Sequence, residues 1–334
     1  MLGSECNMDC IYCIQKNNKN TISRTVNKDV VEFIRFVAKN NFNQTLEIRF
    51  FGGEPLLFWK QIKDITNNLL DINNIQFSII TNGKLLDKEK VEYLNSNNFK
   101  IIISWDGNKS NITRKYDVIN NNEDNILKCQ NLILSGVLSK YVYPLELLKD
   151  FENFNNVYKI INSHDIEINI NLPINIQNND VFNIDLKTIY SDYYKLVLFF
   201  LEQKNINSLS YKYIKNIIDL ITRQLNINNR LDQLCRCKNG YNILNLDLSG
   251  NLYTCHESNI KIGTIYDDYF KYLNEVIKTE SQSQKCLFCE AYPLCGGGCK
   301  LINKNDSYCD IRKTITAAIT KAIEDYNVFS NSSN

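Results

Sequence analysis

Hydrophobic positions along the first part of the chain switch between a helical period and a strand period. Val30, Ile34 and Val37 recur at helical spacing after Asn27, a residue that can cap a helix. The apolar run at 46–51 has the character of a strand. It ends in the sequence Gly-Gly-Glu-Pro, which continues neither a strand nor a helix comfortably. The pattern therefore predicts a helix, a strand and then a sharp turn.

The same unit repeats several times. We predict strands at 46–51, 76–80, 100–104, 134–138 and 166–172, and helices at 58–70, 87–95, 126–132 and 145–161. Strands that alternate with helices of this length form a parallel sheet with right-handed crossovers, and the repetition favours a barrel-like curl. The chemistry of such barrels lies at the carboxyl ends of the strands. Three turns should meet there: Gly52-Gly53-Glu54, Thr81-Asn82-Gly83 and residues 104–107.

The second half of the chain has a different composition. Residues 189–201 and 210–225 have the pattern of two helices, and 315–326 that of a closing helix. From Cys235 onward glycine and cysteine become frequent, as is typical of a small domain whose core is metal. We expect a barrel domain at 1–184, a helical bridge at 185–234, a cysteine-rich domain at 235–312, and a closing helix and tail at 313–334.

The composition of the chain limits the classes of partner that it can bind. The 334 residues carry 38 basic and 37 acidic side chains, a net charge of +1, which leaves no electrostatic footprint for nucleic acid or an anionic membrane. No apolar run approaches the roughly 18 to 20 residues that a membrane span needs. The first residues do not resemble a signal peptide. We expect a cytoplasmic protein without a nucleic-acid or membrane partner.

Cysteine is abundant, with 12 residues, and in a reducing compartment such thiols favour metal binding over disulfides. The spacing Cys6-x3-Cys10-x2-Cys13 lets one loop offer three thiolates to a cubane iron–sulfur cluster and leaves its fourth iron open. Cys129 stands alone, and we expect it to be a buried apolar residue without a role. A zinc loop or zinc ribbon is the alternative for the grouped cysteines.

With this loop and the Gly-Gly-Glu-Pro turn that follows it, the chain resembles the radical S-adenosylmethionine (SAM) superfamily. The resemblance implies an α/β fold, a partial (β/α)6 TIM-like barrel. It also implies that SAM binds the open iron and is cleaved reductively to methionine and a 5'-deoxyadenosyl radical. Because such clusters are sensitive to oxygen, we expect an anaerobic host.

The resemblance also implies which residues line the SAM site. Tyr12 would pack near the adenine, the Gly-Gly-Glu turn would contact the methionine amino group, and Arg114 would pair with the carboxylate, which guanidinium binds bidentately. Taken singly, these residues could equally be turn caps, anchors or exposed surface groups. The full set is Tyr12, Gly52, Gly53, Glu54, Asn82, Ser104, Asp106 and Arg114.

The later cysteines follow the order Cys237-x12-Gly250-x4-Cys255, then Cys286-x2-Cys289-x5-Cys295-x3-Cys299, then Cys309. This layout resembles the SPASM subgroup, whose cysteine-rich C-terminal extension holds two auxiliary 4Fe–4S clusters. The ligands implied for the first auxiliary cluster are Cys235, Cys237, Cys255 and Cys299, and those for the second are Cys286, Cys289, Cys295 and Cys309. Because Cys235 stands so close to Cys237, the first cluster could instead have an open iron.

The resemblance implies a radical SAM oxidoreductase with three 4Fe–4S clusters, supplied with electrons by a flavodoxin or ferredoxin. We expect it to modify a ribosomally made precursor peptide or protein, through a thioether or carbon–carbon crosslink. A non-enzymatic alternative is an iron–sulfur electron carrier or a zinc-binding module. Relatives place a full strand before the first cysteine, whereas here only residues 1–5 precede Cys6. We therefore expect a short or truncated first strand and no upstream peptide-recognition module.

The enzymatic alternative is an anaerobic sulfatase-maturating enzyme, which forms formylglycine. Such enzymes place an aspartate after the ligand equivalent to Cys255, where it can act as a base. This chain has His256 there. His256 is therefore the weak candidate for a catalytic base, and support of the neighbouring cluster ligand is an equal reading.

Overall fold

The computed structural model describes residues 1–13, 24–41, 43–161, 167–172, 180, 183–203, 205–225, 243–256, 260–268, 270–272, 286, 288–298 and 306–332. The first helix, α1, spans Lys28–Asn40 and buries Val30, Ile34 and Ala38. The side chain of Asn27 accepts a hydrogen bond from the backbone N–H of Asp29 and caps the helix, as its sequence predicts.

Five parallel strands follow each other in chain order across one curled sheet, which has the form of a half-barrel. The strands are β1 Leu46–Phe50, β2 Ile75–Thr81, β3 Lys100–Ser104, β4 Leu132–Val137 and β5 Glu167–Asn171. The connecting helices are α2 Trp59–Asn67, α3 Lys88–Ser96, α4 Ser110–Thr113, α5 Val118–Ile126 and α6 Pro144–Ile161, with short 3-10 turns at Pro55–Phe58 and Gly107–Lys109. The predicted parallel α/β fold is confirmed.

The two faces of the sheet differ because side chains alternate along each strand. Ile79, Ile101 and Ile103 are fully buried on the face that the helices cover. The opposite face carries polar groups that bond across strands. Arg49 donates to the hydroxyl of Ser78 at 3.3 Å. In the same way, Asn171 donates to the hydroxyl of Ser135 at 3.0 Å. The inner face of the half-barrel therefore carries these polar groups together with Ile80, Ile102 and Ile133, whereas the outer face is apolar.

The helix expected at 126–132 was placed wrongly. The helix in this part of the chain, α5, ends at Ile126, and β4 begins at Leu132. The start of α5 is fixed by Asp117, whose carboxylate accepts hydrogen bonds from the backbone N–H groups of Ile119 and Asn120. Cys129 lies between α5 and β4 and is fully buried, and burial raises the pKa of its thiol to about 12. The prediction that Cys129 is a buried apolar residue is confirmed.

A short N-terminal segment, residues 2–5, runs beside the end of β1. The N–H of Leu2 donates to the carbonyl of Phe51 at 2.8 Å, and Gly53 and Glu54 donate to the carbonyls of Gly3 and Glu5, each at 2.7 Å. This segment takes the place of the short first strand expected from the sequence. It leads directly into the loop of Cys6.

The second half of the chain contains the two predicted helices, α7 Leu186–Leu201 and α8 Leu209–Leu225. A small antiparallel sheet follows, with β6 Asn245–Leu246, β7 Asn251–Tyr253 and β8 Lys261–Thr264. A short helix, α9 Tyr292–Cys295, precedes α10 Asp306–Ser332. Because α10 starts before the predicted closing helix, it carries Cys309. No helix in the described part of the chain is both long and apolar enough to cross a membrane.

Candidate functional site

The three cysteines of the first loop lie close to one another at the carboxyl edge of the sheet. Cys6 is exposed, and Cys10 and Cys13 are half-buried. The pKa of the Cys10 thiol is raised to about 11, mainly by burial; Arg114 opposes this shift, and the neighbouring Cys13 and Cys6 thiols contribute to it. The N–H of Ile11 donates to the carbonyl of Thr113 at 2.9 Å and holds the loop against α4.

The two glycines after β1 are required by the segment that leads to these cysteines. A Cβ on Gly52 would lie 2.3 Å from the carbonyl oxygen of Gly3, and one on Gly53 would lie 2.3 Å from that of Glu5. Any side chain would therefore push residues 2–5 away from β1. In the structure, the close backbone approach expected of this turn is made to the protein's own N-terminal segment.

Glu54 anchors the same turn. Its carboxylate is fully buried and accepts from the N–H of Leu56 at 2.9 Å and the hydroxyl of Thr81 at 2.6 Å. A third hydrogen bond comes from the N–H of Asn82 at 2.8 Å. Burial raises the pKa of Glu54, and the three donors act in the opposite direction. Of the two roles left open by the sequence, the structure displays that of the anchor.

Asn82 connects this anchor to the cysteine loop. Its side-chain amide donates to the Asn7 side chain at 2.8 Å and points to the Cys6 sulfur at 3.8 Å. Its carbonyl oxygen accepts from the N–H of Lys84 at 2.9 Å. Asn7 did not stand out in the sequence, because its part depends on a contact with a residue far along the chain. Glu54, Asn82 and Cys6 thus form one connected group.

Asp106 organises the other side of the loop. Its buried carboxylate accepts hydrogen bonds from Tyr12, from Thr113 at 2.7 Å and from Arg114 at 3.0 Å. A fourth comes from the N–H of Val137 at 2.9 Å. The Arg114 guanidinium carbon also lies 5.4 Å from the centroid of the Tyr12 ring. Within the described residues, the buried Nε of Arg114 has no hydrogen-bond partner.

Ser104 is the last residue of β3, and its register partner on β4 is Ser135. It is half-buried and lies with Ser135 on the inner face of the half-barrel. The structure thus brings all eight predicted SAM-site residues to the carboxyl edge of the first three strands or to the loop that covers it. Thr81 and Thr113, which bond to Glu54 and Asp106, were missed because threonines near strand ends and in turns carry no distinctive signal.

His256 reaches this edge from the second half of the chain. Its ring packs edge-on against Phe51, with 4.6 Å between the ring centroids, and its Nδ1 lies 4.0 Å from the Cys255 sulfur. Desolvation lowers the pKa of His256 to about 4, with smaller contributions from the N-terminal amine and Arg49, even though the residue is exposed. The imidazole is therefore neutral near pH 7, and a lowered pKa also makes it a weaker base than a free histidine.

Four later cysteines line a second site. Cys286, Cys289, Cys295 and Cys309 line a cleft beside α9 and α10. Burial raises the pKa of Cys309, and the other three thiols raise it further, so all four lie near one another. An all-thiolate set of four fits a 4Fe–4S cluster, and it is also the donor set of a tetrahedral zinc site.

The ligand set expected for the first auxiliary cluster is described only at Cys255. Cys235, Cys237 and Cys299 lie outside the described residues. Within the described ranges, no group of three or more His, Cys, Asp or Glu side chains is arranged to hold a single metal ion.

Comparisons with known proteins agree with the resemblance found in the sequence. Residues 2–144 match the model of the Radical SAM superfamily. The chain is 28% identical to the radical SAM cyclopropyl synthase TigE of Paramaledivibacter caminithermalis, over 90% of this chain and 66% of that protein. It is 24% identical to the cysteine-type anaerobic sulfatase-maturating enzyme of Clostridium novyi, over 89% of this chain and 86% of the relative. The chain thus spans just under two thirds of the synthase.

The fold also matches solved structures. Native anSMEcpe with bound AdoMet superposes with a TM-score of 0.69 at 20% identity, covering 97% of each chain. The same protein with AdoMet and a peptide bound gives 0.67 at 19% identity. These matches agree with the half-barrel described above.

Proposed function

We propose that this chain is a radical SAM enzyme of the SPASM subgroup, which its matches support, and that it crosslinks a ribosomally made peptide. The observation that carries the proposal is the connected group of Cys6, Asn82 and Glu54, which ties the three-cysteine loop to the turn after β1. A 4Fe–4S cluster held by Cys6, Cys10 and Cys13 would supply the electron that cleaves bound SAM.

The chain's own residues hold the surroundings of that cluster in place. Glu54 fixes the glycine turn and the backbone of Asn82, which in turn reaches the cysteine loop. Asp106 fixes Tyr12 and Arg114 against each other. We assign the unpartnered Nε of Arg114 to the SAM carboxylate and the aromatic face of Tyr12 to the adenine. In this proposal the two carboxylates act as anchors, and the groups that they hold contact SAM.

The crosslink requires the loss of two hydrogens from the peptide. One leaves as a hydrogen atom to the 5'-deoxyadenosyl radical, and the other leaves as a proton. One electron then remains, and we assign its acceptance to the clusters held by the later cysteines. The four-thiol cleft of Cys286, Cys289, Cys295 and Cys309 supports this assignment. The relative named as a cyclopropyl synthase supports carbon–carbon bond formation over a thioether.

Formylglycine formation is the second candidate, because relatives named as sulfatase-maturating enzymes match 89% of this chain. The residue after Cys255 argues against it, since His256 stands where those enzymes place an aspartate. His256 packs against Phe51, next to the glycine turn, where a neutral imidazole could take a proton from a substrate. We therefore retain this candidate as the outcome that the experiment must distinguish.

Free thiols and reducible clusters need a reducing compartment, so the proposal includes a cytoplasmic location in an anaerobic host. The electron donor would be a small carrier such as a flavodoxin or ferredoxin. Two auxiliary clusters are part of the same proposal, with Cys235, Cys237, Cys255 and Cys299 as ligands of the first. The division at residues 184, 234 and 312 also remains a proposal, and α10 crosses the last of these boundaries.

Mass spectrometry after anaerobic co-expression tests the reaction. The enzyme is expressed with the small open reading frames beside its gene, and the Cys13→Ala variant serves as control. We expect one peptide to lose two hydrogens per site, with fragmentation that places a link between two residues. Conversion of a sulfatase-derived peptide to formylglycine, with the neighbouring peptides unchanged, would overturn the proposal.

A further inference from the structure

One charged side chain lines the cleft of Cys286, Cys289, Cys295 and Cys309. Among the described lining residues other than the cysteines, Arg312 alone carries a formal charge, and the others that matter here are Tyr292 and Tyr308. Arg312 lies on α10, one helical turn after Cys309, and only 8% of its surface is exposed. A cation is thus held at the wall of a thiol-lined cleft and away from solvent.

The described neighbours of Arg312 are neutral. Its Nε and Nη2 donate to the hydroxyl of Tyr308 at 3.3 and 3.2 Å. Tyr193 and Tyr213 are buried close by, with 2.7 Å between their hydroxyl oxygens. Burial raises the pKa of both phenols, and the charge of Arg312 opposes that rise, which places the guanidinium within electrostatic reach of both.

A buried cation surrounded by phenols needs an anion, because removing a charge from water is costly unless an opposite charge compensates it. No described carboxylate forms an ion pair with Arg312. A cubane bound by four thiolates is such an anion, and it gains one more negative charge when it is reduced. A fixed cation beside it stabilises the reduced form more than the oxidised form.

We infer that Arg312 raises the reduction potential of the cluster held by Cys286, Cys289, Cys295 and Cys309. Arg312 is a positioning residue in this scheme, because it acts on the substrate only through the cluster. A higher potential makes this cluster a better acceptor for the electron that remains after substrate oxidation. The inference rests on the proposed function, since it requires a cluster in this cleft.

The chain offers a matched control in Lys313. This residue also carries a positive charge and acts electrostatically on Cys309, but it is exposed to solvent. Water and salt screen an exposed charge far more than a buried one. Each of the variants Arg312→Gln and Lys313→Gln removes one positive charge. A comparison of the two therefore separates the local effect of a buried charge from the effect of a change in net charge.

The test is a redox titration of the anaerobically prepared full-length holoenzyme, followed by electron paramagnetic resonance. Addition of SAM perturbs the signal of the SAM-binding cluster, so the remaining midpoints belong to the auxiliary clusters. In Arg312→Gln we expect one auxiliary midpoint to fall by at least the equivalent of a tenfold change in the ratio of reduced to oxidised cluster, about 59 mV for one electron. Because its charge is screened by solvent, Lys313→Gln should lower this midpoint by much less than Arg312→Gln, and Arg312→Lys should keep the midpoint close to that of the wild type.

Iron analysis distinguishes a failure of this inference from a failure of the proposed auxiliary clusters. Unchanged midpoints in Arg312→Gln at full iron content would overturn the inference and leave the proposed function intact. Wild-type protein with iron only for the SAM-binding cluster would overturn the auxiliary clusters and the inference together. If Arg312→Gln does not retain iron, Arg312→Met takes its place, because it also removes the charge and keeps an unbranched side chain. A fall in the same midpoint supports the inference, and an unchanged midpoint overturns it.

Discussion

At the scale of single residues, the site depends on two buried carboxylates that bond to the protein itself. Glu54 accepts hydrogen bonds from three groups of this chain and Asp106 accepts from four. The sequence located both residues, because each follows a predicted strand next to a glycine. It could not supply their partners, since the contact of Asp106 with Tyr12 joins residues 94 positions apart.

Replacement of Asp106 by asparagine should destabilise the protein strongly. The change keeps the shape of the side chain but leaves Arg114 buried without its carboxylate. Loss of one partner from a buried ion pair costs about 3 to 5 kcal/mol. Thermal unfolding of the Asp106→Asn variant should therefore occur well below that of the wild type, and its binding of SAM should weaken.

Asp124→Asn is the matched control, because Asp124 is exposed on α5. A surface change of this kind normally alters stability by less than about 0.5 kcal/mol. If Asp106→Asn and Asp124→Asn unfold at the same temperature, the ion pair of Asp106 and Arg114 does not contribute as described.

At the scale of elements, the sequence was most informative where the signal is local. Asn27 was predicted as a helix cap, and its side chain accepts a backbone hydrogen bond from the first turn of α1. Asp87 caps α3 in the same way. The helix α5 was misplaced because it is rich in asparagine, which is a poor helix former. Its position depends on tertiary contacts, such as those of the Asn122 amide with the carbonyls of Gly83 and Leu86, both at 2.9 Å.

The turn after β1 packs closely against segment 2–5. A single methyl group added to this turn should push the segment away. In Gly53→Ala the added Cβ would lie 2.3 Å from the carbonyl oxygen of Glu5 and 2.5 Å from that of Ser4. Since the segment leads into Cys6, its displacement should move the cysteine loop. We expect Gly53→Ala to lose about four irons per chain, the content of one cubane, in chemical iron analysis.

Gly263→Ala provides the comparison for this change. Its added Cβ would lie 3.3 Å from the carboxylate tip of Asp267, a side chain that can move. This variant should keep its full iron content. Full iron in Gly53→Ala as well would mean that the cysteine loop does not depend on its contact with the turn.

At the scale of the whole molecule, the resemblance to the SPASM subgroup implied that Cys286, Cys289, Cys295 and Cys309 would share one cluster, and these four thiols line one cleft. The sequence could not show that His256 packs against Phe51, because that contact joins the antiparallel sheet region to the end of β1. It also gave no reason to select Arg312, which follows Cys309 by one helical turn and becomes distinctive only through its burial.

The proposed set of three cubanes predicts the metal content of the molecule. We expect about twelve irons and about twelve sulfides per chain after anaerobic preparation, because each cubane contains four of each. The Cys6→Ala/Cys10→Ala/Cys13→Ala variant should retain about eight irons. Tightly bound zinc with little iron would contradict this content and support the zinc-binding alternative.

The most direct test of the central claim is the formation of 5'-deoxyadenosine from SAM by the reduced holoenzyme, measured by liquid chromatography under anaerobic conditions. The wild type should form it, and Cys129→Ser should form it at a similar rate, because Cys129 is buried away from the cysteine loop. Cys13→Ala should form none, since the cluster that cleaves SAM needs all three thiolates of the first loop. Equal formation by Cys13→Ala and the wild type would contradict the assignment of that loop as the SAM-cleaving site.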